Sequence, residues 1–479
     1  MTRKEIESGS YKPLSKESMQ SIHETAMKVF EKVGIQVNSK EALDLLKHTD
    51  AQVDERTQRV MIPADMVMDL VSKAPSEITL CGRDKKHDVI LGGTRVHAGT
   101  GGTALNIIDR KDGHKRVATL NDLKEIARLV DDLDNIHIFM LPVYPTDVPV
   151  EKVDVSRFFA GLDNTRKHII GGVYTLEGIK QVIKMAELIA GSPRELRERP
   201  IISMITCSIS PFKIDSLYGD MLANIAKSGI PVVCPAEPLC GATSPVTLAG
   251  TLVVQVVDSL SGVVISQLAN PGTPVIYGSV ASSTDLRDMK YITGSVEMGL
   301  LNAGGAQMAQ FYELPFYATG GMSDSNTIDA QCGYESSITT LLCALAGANF
   351  IHDAAGLMEF ALTVSCEKLV IDNEILGMVM RAVRGIEVND ETLAFDVIKK
   401  AGPGGHFISR RHTRTHMRRE HYEPTLSNRD FREKWEAQGS KDVSRKAKER
   451  VEEILNKAGY SLPAHLRSRI LTQIPDIIC

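Results

Sequence analysis

The chain lacks paired cysteines: its eight, Cys81, Cys207, Cys234, Cys240, Cys332, Cys343, Cys366 and Cys479, are scattered without a CxxC pair. That pattern argues against a disulfide framework or a zinc ribbon and predicts a reducing, cytoplasmic setting. Neither sign of charge dominates. Fifty-five Lys and Arg stand against 60 Asp and Glu, a formal charge of −5, which argues against general nucleic-acid binding. The opening residues, Met1 to Ser8, hold no apolar stretch of the signal-peptide kind. The longest apolar segment, Thr247 to Ala269, is interrupted by Gln255, Asp258, Ser259 and Ser261. It therefore reads as a buried or interfacial helix and not as a membrane span. GxSxG, HExxH and GxxxxGK[ST] are all missing, so serine hydrolase, zincin and P-loop chemistries drop out.

What is present suits a large globular core: 479 residues, 43% hydrophobic and 24% charged. Ser15-Lys16-Glu17-Ser18 opens an amphipathic stretch that stops at Gly34. Lys40 to Leu46 and Ala64 to Val71 repeat the helical pattern, and 89–108 reads as hairpin strands around Gly99-Thr100-Gly101-Gly102. Those glycines do not fit the dinucleotide or P-loop spacing, so a turn is expected there.

From about residue 120 a rhythm sets in. Apolar runs at 136–143, 168–173, 201–207, 231–235, 274–277, 315–318 and 349–351 alternate with helical stretches at 176–190, 217–226, 248–268, 296–311, 330–345 and 367–383. An eighth run falls at Gly385–Val388 or His406–Ile408. Parallel strands with helical crossovers, seven or eight times over, predict an α/β fold of the TIM-like (β/α)8 barrel type. The expected organisation is an N-terminal helical and hairpin extension over 1–119, a barrel over 120–420 and a helical tail over 421–479.

In such a barrel the residues just past each strand line one mouth. Reading them off gives Tyr144, Tyr174, Ser208, Glu237, Ser279, Gly320-Gly321 and His352-Asp353. His352 can bind an anionic group or move a proton with Asp353 orienting it, or it can simply bond backbone at a strand end. Glu237 can attract a cation or cap the next segment. His406, His412, His416 and His421 cluster, but Arg410, Arg411, Arg414, Arg418 and Arg419 are interleaved and oppose a bound dication. No metal is expected there. The segment reads as a basic surface for an acidic partner or for carboxylates of a neighbouring subunit.

Several motifs run in order over about a hundred residues. They are Gly320-Gly321-Met322-Ser323-Asp324-Ser325, Asp329-Ala330-Gln331-Cys332-Gly333-Tyr334-Glu335, Ala346 to Asp353, Val370 to Met378, and Gly402-Pro403-Gly404-Gly405-His406-Phe407. Together they resemble the trimethylamine methyltransferase family, and the upstream chain looks like the family as well. The resemblance implies a barrel that binds a methylated amine and passes a methyl group to cob(I)alamin on a separate corrinoid protein. Members acting on trimethylamine contain pyrrolysine, whereas this chain holds only standard residues. It is thus similar to the non-pyrrolysine branch, which includes glycine betaine:corrinoid methyltransferases. A quaternary ammonium already carries a positive leaving nitrogen, so a quaternary amine is the expected substrate.

The resemblance also implies aromatic faces for the cation, for which Tyr144, Tyr174, Phe316 and Tyr334 are candidates. Glu237 joins the substrate set, and His352 is the first donor for a substrate carboxylate. His352 and Asp353 are the catalytic candidates. No Asp-x-His-x-x-Gly motif is present, so the corrinoid is expected from the partner. A homo-oligomer with no membrane or nucleic-acid partner completes the expectation. Open alternatives are a non-catalytic betaine-binding protein that docks a corrinoid partner, and a trimethylamine-type enzyme with altered substrate. A lyase or aldolase ranks last, because no lysine falls at the strand ends.

Overall fold

The computed structural model describes residues 6–479. Eight parallel strands form a ring: β1 (His97–Ala98), β2 (Ile138–Met140), β3 (His168–Gly172), β4 (Ile202–Ile205), β5 (Val232–Ala236), β6 (Val275–Ser279), β7 (Phe316–Thr319) and β8 (Phe350–His352). Neighbours pair in sequence from β2 to β8, and β8 pairs with β1. A parallel bridge between Gly99 and Ile138, with the His137 N–H donating to Ala98 O at 2.7 Å, closes the ring. Eight helices follow the eight strands: α1 (Leu120–Asp131), α2 (Val153–Asn164), α3 (Leu176–Ala190), α4 (Ser216–Ser228), α5 (Leu248–Ala269), α6 (Val296–Phe311), α7 (Ala330–Ala346) and α8 (Cys366–Val383). This is the (β/α)8 barrel that the rhythm predicts.

The eighth strand is a correction. Neither 385–388 nor 406–408 forms a strand; the missing one is β1, upstream of residue 120. Instead of folding back as a hairpin within 89–108, His97–Ala98 inserts between the first and last strands of the run. Two residues carry too little apolar pattern to announce a strand, and the pairing that makes them one is supplied by β8, some 250 residues away in the chain.

Strand alternation splits the core into two layers. Ile138, Met140, Ile170, Val233, Ile276, Tyr317 and Phe350 fill the barrel interior, together with Ile78, Leu80, Val89 and Leu91. Those last four belong to a hairpin (Ile78–Leu80 with Val89–Leu91) that stoppers the N-terminal end of the ring; the adjoining Cys81 N–H bonds Pro200 O just below β4. The alternate residues, among them Phe139, Ile169, Ile202, Tyr277 and Phe316, face outward into the helical layer. α5 is buried along most of its length, which explains its apolar composition.

Capping follows the sequence signals. Ser15 accepts from Ser18 N at the first helix, and Thr119 and Asp122 form a reciprocal box at α1. The tail helices Val443–Leu455 and Ala464–Gln473 pack on the barrel. Arg128 bonds Leu455 O and Lys457 O, and Arg467 meets Asp163 at 3.0 Å. α2 was not expected from periodicity. Its buried Asp154, Ser156, Arg157 and Asp163 break the amphipathic pattern a helix normally shows.

Candidate functional site

With the bottom stoppered, only the C-terminal end of the ring is open to a ligand. Glu237, just past β5, is open to solvent there, as is Cys207 past β4. Both are nonetheless walled by protein. Desolvation raises the Glu237 carboxyl to about 7, with the nearby Asp353 charge adding to it. Desolvation likewise pushes the Cys207 thiol up to about 12. Groups that are solvent-accessible yet desolvated by the protein around them mark the wall of a recess at this end of the ring.

Asp353 follows β8 with φ of 62°, a left-handed conformation that Asp tolerates better than most residues. Its Oδ1 accepts the Gly102 N–H at 3.0 Å, tying the loop after β8 to the loop after β1. Gly101 is required here, because a Cβ would lie 1.5 Å from Asp353 Oδ1. The glycine cluster is therefore a turn shaped to receive a carboxylate of its own chain. His352 Nδ1 lies 3.3 Å from the Thr319 hydroxyl, which itself donates to Ser279 O at 2.9 Å. The single hydroxyl proton is thus spent, so Nδ1–H is the donor of that pair. Nε2 sits 2.8 Å from Asp353 Oδ1 but off the line a hydrogen bond needs, and it has no hydrogen-bond partner. The imidazole stacks on Tyr317, ring centroids 4.6 Å apart.

Above the recess a small three-stranded flap (239–240, 282–285 and 290–292) carries Tyr291. Its hydroxyl is buried and without a hydrogen-bond partner, and burial plus the charges of Glu237, Asp353 and Asp324 push its pKa well above the ordinary value. Tyr317 is raised likewise by burial and by Asp353, Cys207 and Glu237. These residues therefore share one electrostatic neighbourhood. Ser208 Oγ, at the expected mouth position, is also buried and unpartnered. Asp324 anchors the base of the flap by accepting from Thr293 N and Oγ1 and from Gly294 N. Glu335 accepts from Ser323 Oγ and Asp324 N, so the Gly320–Ser325 motif braces the base of the flap.

Two mouth loops are clamped from behind. The fully buried Lys368 donates to Gly321 O at 3.1 Å, Ser336 Oγ at 2.9 Å and Asp372 Oδ2 at 2.7 Å, and Asp372 Oδ2 accepts the Gly356 N–H. Asp372 is thus interior, and Glu374 caps Thr425, Leu426 and Ser427.

The structure brings Glu237, His352 and Asp353 together, but the four aromatic candidates come out differently. Phe316 points outward, where it packs near Tyr277 at 5.8 Å, because β7 turns Tyr317 inward in its place. Tyr144 and Tyr174 do pair edge-to-face at 5.6 Å, yet their rings already face a cation of the chain itself, Arg157, whose Cζ lies 5.9 and 5.6 Å from their centroids. Tyr334 is 55% exposed on α7, outside the buried cluster. Sequence reasoning missed Arg157, Tyr291 and Tyr317. Arg157 is fully buried, donates to Tyr174 OH, Thr103 Oγ1 and Leu141 O, and keeps Nε unpartnered. Tyr317 could have been found by choosing the other parity of β7; nothing local marks Tyr291. A groove of ≈ 510 Å³ near Val29, Phe212 and Pro245 lies apart and carries no ionisable lining residue.

Residues 2–476 match the family model described as trimethylamine methyltransferase (MTTB). The chain is 39% identical over 464 residues to trimethylamine methyltransferase MttB of Desulfitobacterium hafniense, covering 97% of this chain and 92% of that one. It is 33% identical over 455 residues to a glycine betaine methyltransferase of Desulfitobacterium hafniense, covering 95% and 94%. MttB of Methanosarcina thermophila is 38% identical over 446 residues, with 92% of each chain covered. Among solved structures, the monomethylamine methyltransferase of Methanosarcina barkeri shares the fold at a TM-score of 0.53 and 13% identity, covering 92% of this chain and 88% of that one.

Proposed function

The chain belongs to the trimethylamine methyltransferase family and is a methyltransferase; on that premise we propose that it takes a methyl group from a quaternary amine, glycine betaine or a related betaine, and delivers it to cob(I)alamin on a separate corrinoid protein. One observation carries the reading: a solvent-reached recess with two acidic side chains, Glu237 and Asp353, beneath Tyr291 and beside Tyr317. A permanent cation supports both carboxylates there without exchanging a proton. An unprotonated, neutral amine offers them no charge.

Transfer breaks the N–CH3 bond with both electrons going to nitrogen, so the amine leaves neutral. The attraction that held the substrate then vanishes, which favours release. The corrinoid, when docked, supplies the nucleophile that accepts the methyl group. This chain's residues do the rest. Glu237 and Asp353 hold the ammonium, and the Tyr291 and Ser208 hydroxyls, each without a partner in the protein, donate to the substrate carboxylate. The Lys368–Asp372 clamp keeps the loops in register.

The mouth also fits a large partner. Leu105, Leu176, Ile209, Leu217, Val246 and Leu286, on the segments that follow β1, β3, β4, β5 and β6, are 37–63% exposed. This apolar collar around the recess is the face a corrinoid protein covers during transfer.

The test is a panel of glycine betaine, proline betaine, choline, carnitine and trimethylamine, incubated with the chain, a corrinoid protein and a reductant. Appearance of the demethylated tertiary amine from a betaine is expected. Turnover of trimethylamine alone overturns the substrate assignment, and binding of betaine without turnover on any substrate overturns the reaction.

A further inference from the structure

Arg157, near the start of α2, is a charged group at the mouth that methyl transfer leaves unused. Its side chain is fully buried. The guanidinium donates to three successive mouth segments: Thr103 Oγ1 after β1 at 3.4 Å, Leu141 O after β2 at 3.3 Å and Tyr174 OH after β3 at 3.2 Å. None of these partners is a carboxylate, and Nε has no partner. Asp154 on the same helix feels the charge, but its oxygens accept from Tyr174 N, Thr175 N and Thr175 Oγ1. A buried cation is unfavourable unless something offsets it, and the faces of Tyr144 and Tyr174 supply less than a carboxylate would.

Arginine carries donors only, so Thr103 Oγ1 and Tyr174 OH accept from it. Each hydroxyl then keeps its own proton, for which no acceptor stands among the described residues. Both side chains are half-buried. Thr103 borders the recess. It follows Gly102, which donates to Asp353 Oδ1 and whose added Cβ would lie 3.6 Å from His352 Nε2. Its φ of 78° is a strained conformation for a β-branched residue, of the kind held at binding sites. Tyr174 adjoins the segment after β4: Tyr218 lines a small cavity with Cys207 and Ser208, and its pKa is raised by burial, then by Tyr174 and Cys207.

We propose that Arg157 selects for a carboxylate on the substrate: its charge, relayed through the Thr103 and Tyr174 hydroxyls, makes the β1–β3 side of the mouth an anion pole complementary to Glu237 and Asp353. The inference rests on the reading that the recess holds a methylated ammonium, and it names the residue that separates betaines from plain cations such as choline. Arg157 touches no ligand. It is a positioning residue whose charge strengthens the two hydroxyls as donors. A carboxylate offers about four acceptor positions, enough for these two beside Tyr291 and Ser208.

Isothermal titration with glycine betaine and choline at pH 8 tests this, because both bear a trimethylammonium head and choline lacks the carboxylate. Wild type is expected to prefer betaine. Arg157→Met should weaken betaine roughly 10- to 100-fold, while choline holds or tightens because a repelling cation is gone. A structural defect would weaken both ligands, so it cannot produce opposite signs. Tyr174→Phe keeps the ring and should lower the betaine-to-choline affinity ratio roughly 10-fold. Arg157→Lys, which keeps the charge, should retain more of that ratio than Arg157→Met. Should Arg157→Met fail to fold, the ratio in Tyr174→Phe decides. Equal losses for both ligands in Arg157→Met, or a wild-type ratio in the folded variants, overturns the proposal and leaves the ammonium site standing. Binding of neither ligand by wild type overturns the reading of the recess, and this proposal with it.

Discussion

Glu237 makes affinity for a permanent cation depend on pH, and the size of the effect follows from its environment. With its carboxyl raised to about 7, Glu237 is ionised in only about a tenth of molecules at pH 6 and in about nine-tenths at pH 8. If the quaternary ammonium binds the ionised form, apparent affinity rises roughly 10-fold between those pH values, because the binding-competent fraction rises by that factor. Glycine betaine and choline bear the same head, so both should show the rise; only betaine probes the carboxylate donors as well. Isothermal titration at pH 6, 7 and 8 reads the effect directly. Glu237→Gln should bind more weakly at pH 8 and with a flattened pH profile. The stability sign runs the other way. An unfolded glutamate titrates near 4.5, so the folded state holds this proton more tightly; the stability it contributes is complete below pH 4.5 and is lost as pH rises through about 7. Glu237→Gln is therefore expected to melt no lower than wild type at pH 8, which separates a binding loss from a folding loss. A wild-type affinity that is flat from pH 6 to 8, or a slope that survives in Glu237→Gln, refutes the assignment.

Tyr291→Phe removes a hydroxyl that bonds nothing in the protein, so the melting temperature should hold while betaine affinity falls roughly 10- to 100-fold, the worth of a hydrogen bond to a charged group; choline should be spared. Gly101→Ala would put a Cβ 1.5 Å from Asp353 Oδ1, and displacing that loop should lower kcat/KM by about 100-fold, whereas Gly333→Ala, with nothing within 4 Å of the new Cβ, should be silent or slightly stabilising in urea. Lys368→Met leaves Asp372 buried without its 2.7 Å partner and should cost about 3–5 kcal/mol of unfolding free energy, with much of that recovered when Asp372→Asn is added. Additive losses in the double variant would show that the two side chains act independently.

Sequence alone determined the repeating part of this protein. Parallel strands covered on both sides must be apolar along their length, so Val232–Ala236 or Val275–Ser279 shows as a run, and the helix that covers it shows as a period. Position at a strand end also exposed Glu237 and the His352-Asp353 pair, because chain direction fixes which end of a strand faces the mouth. Tertiary structure decided whatever depends on contacts between distant segments. His97–Ala98 is a strand only because β8 and Ile138 lie on either side of it. Arg157 rides on a helix whose period is hidden by its own buried polar residues, and Tyr291 reaches the recess because Asp324 pins a flap over it. The parity of β7, which sends Phe316 outward and Tyr317 inward, was set by register in a closed ring, a property no single strand contains.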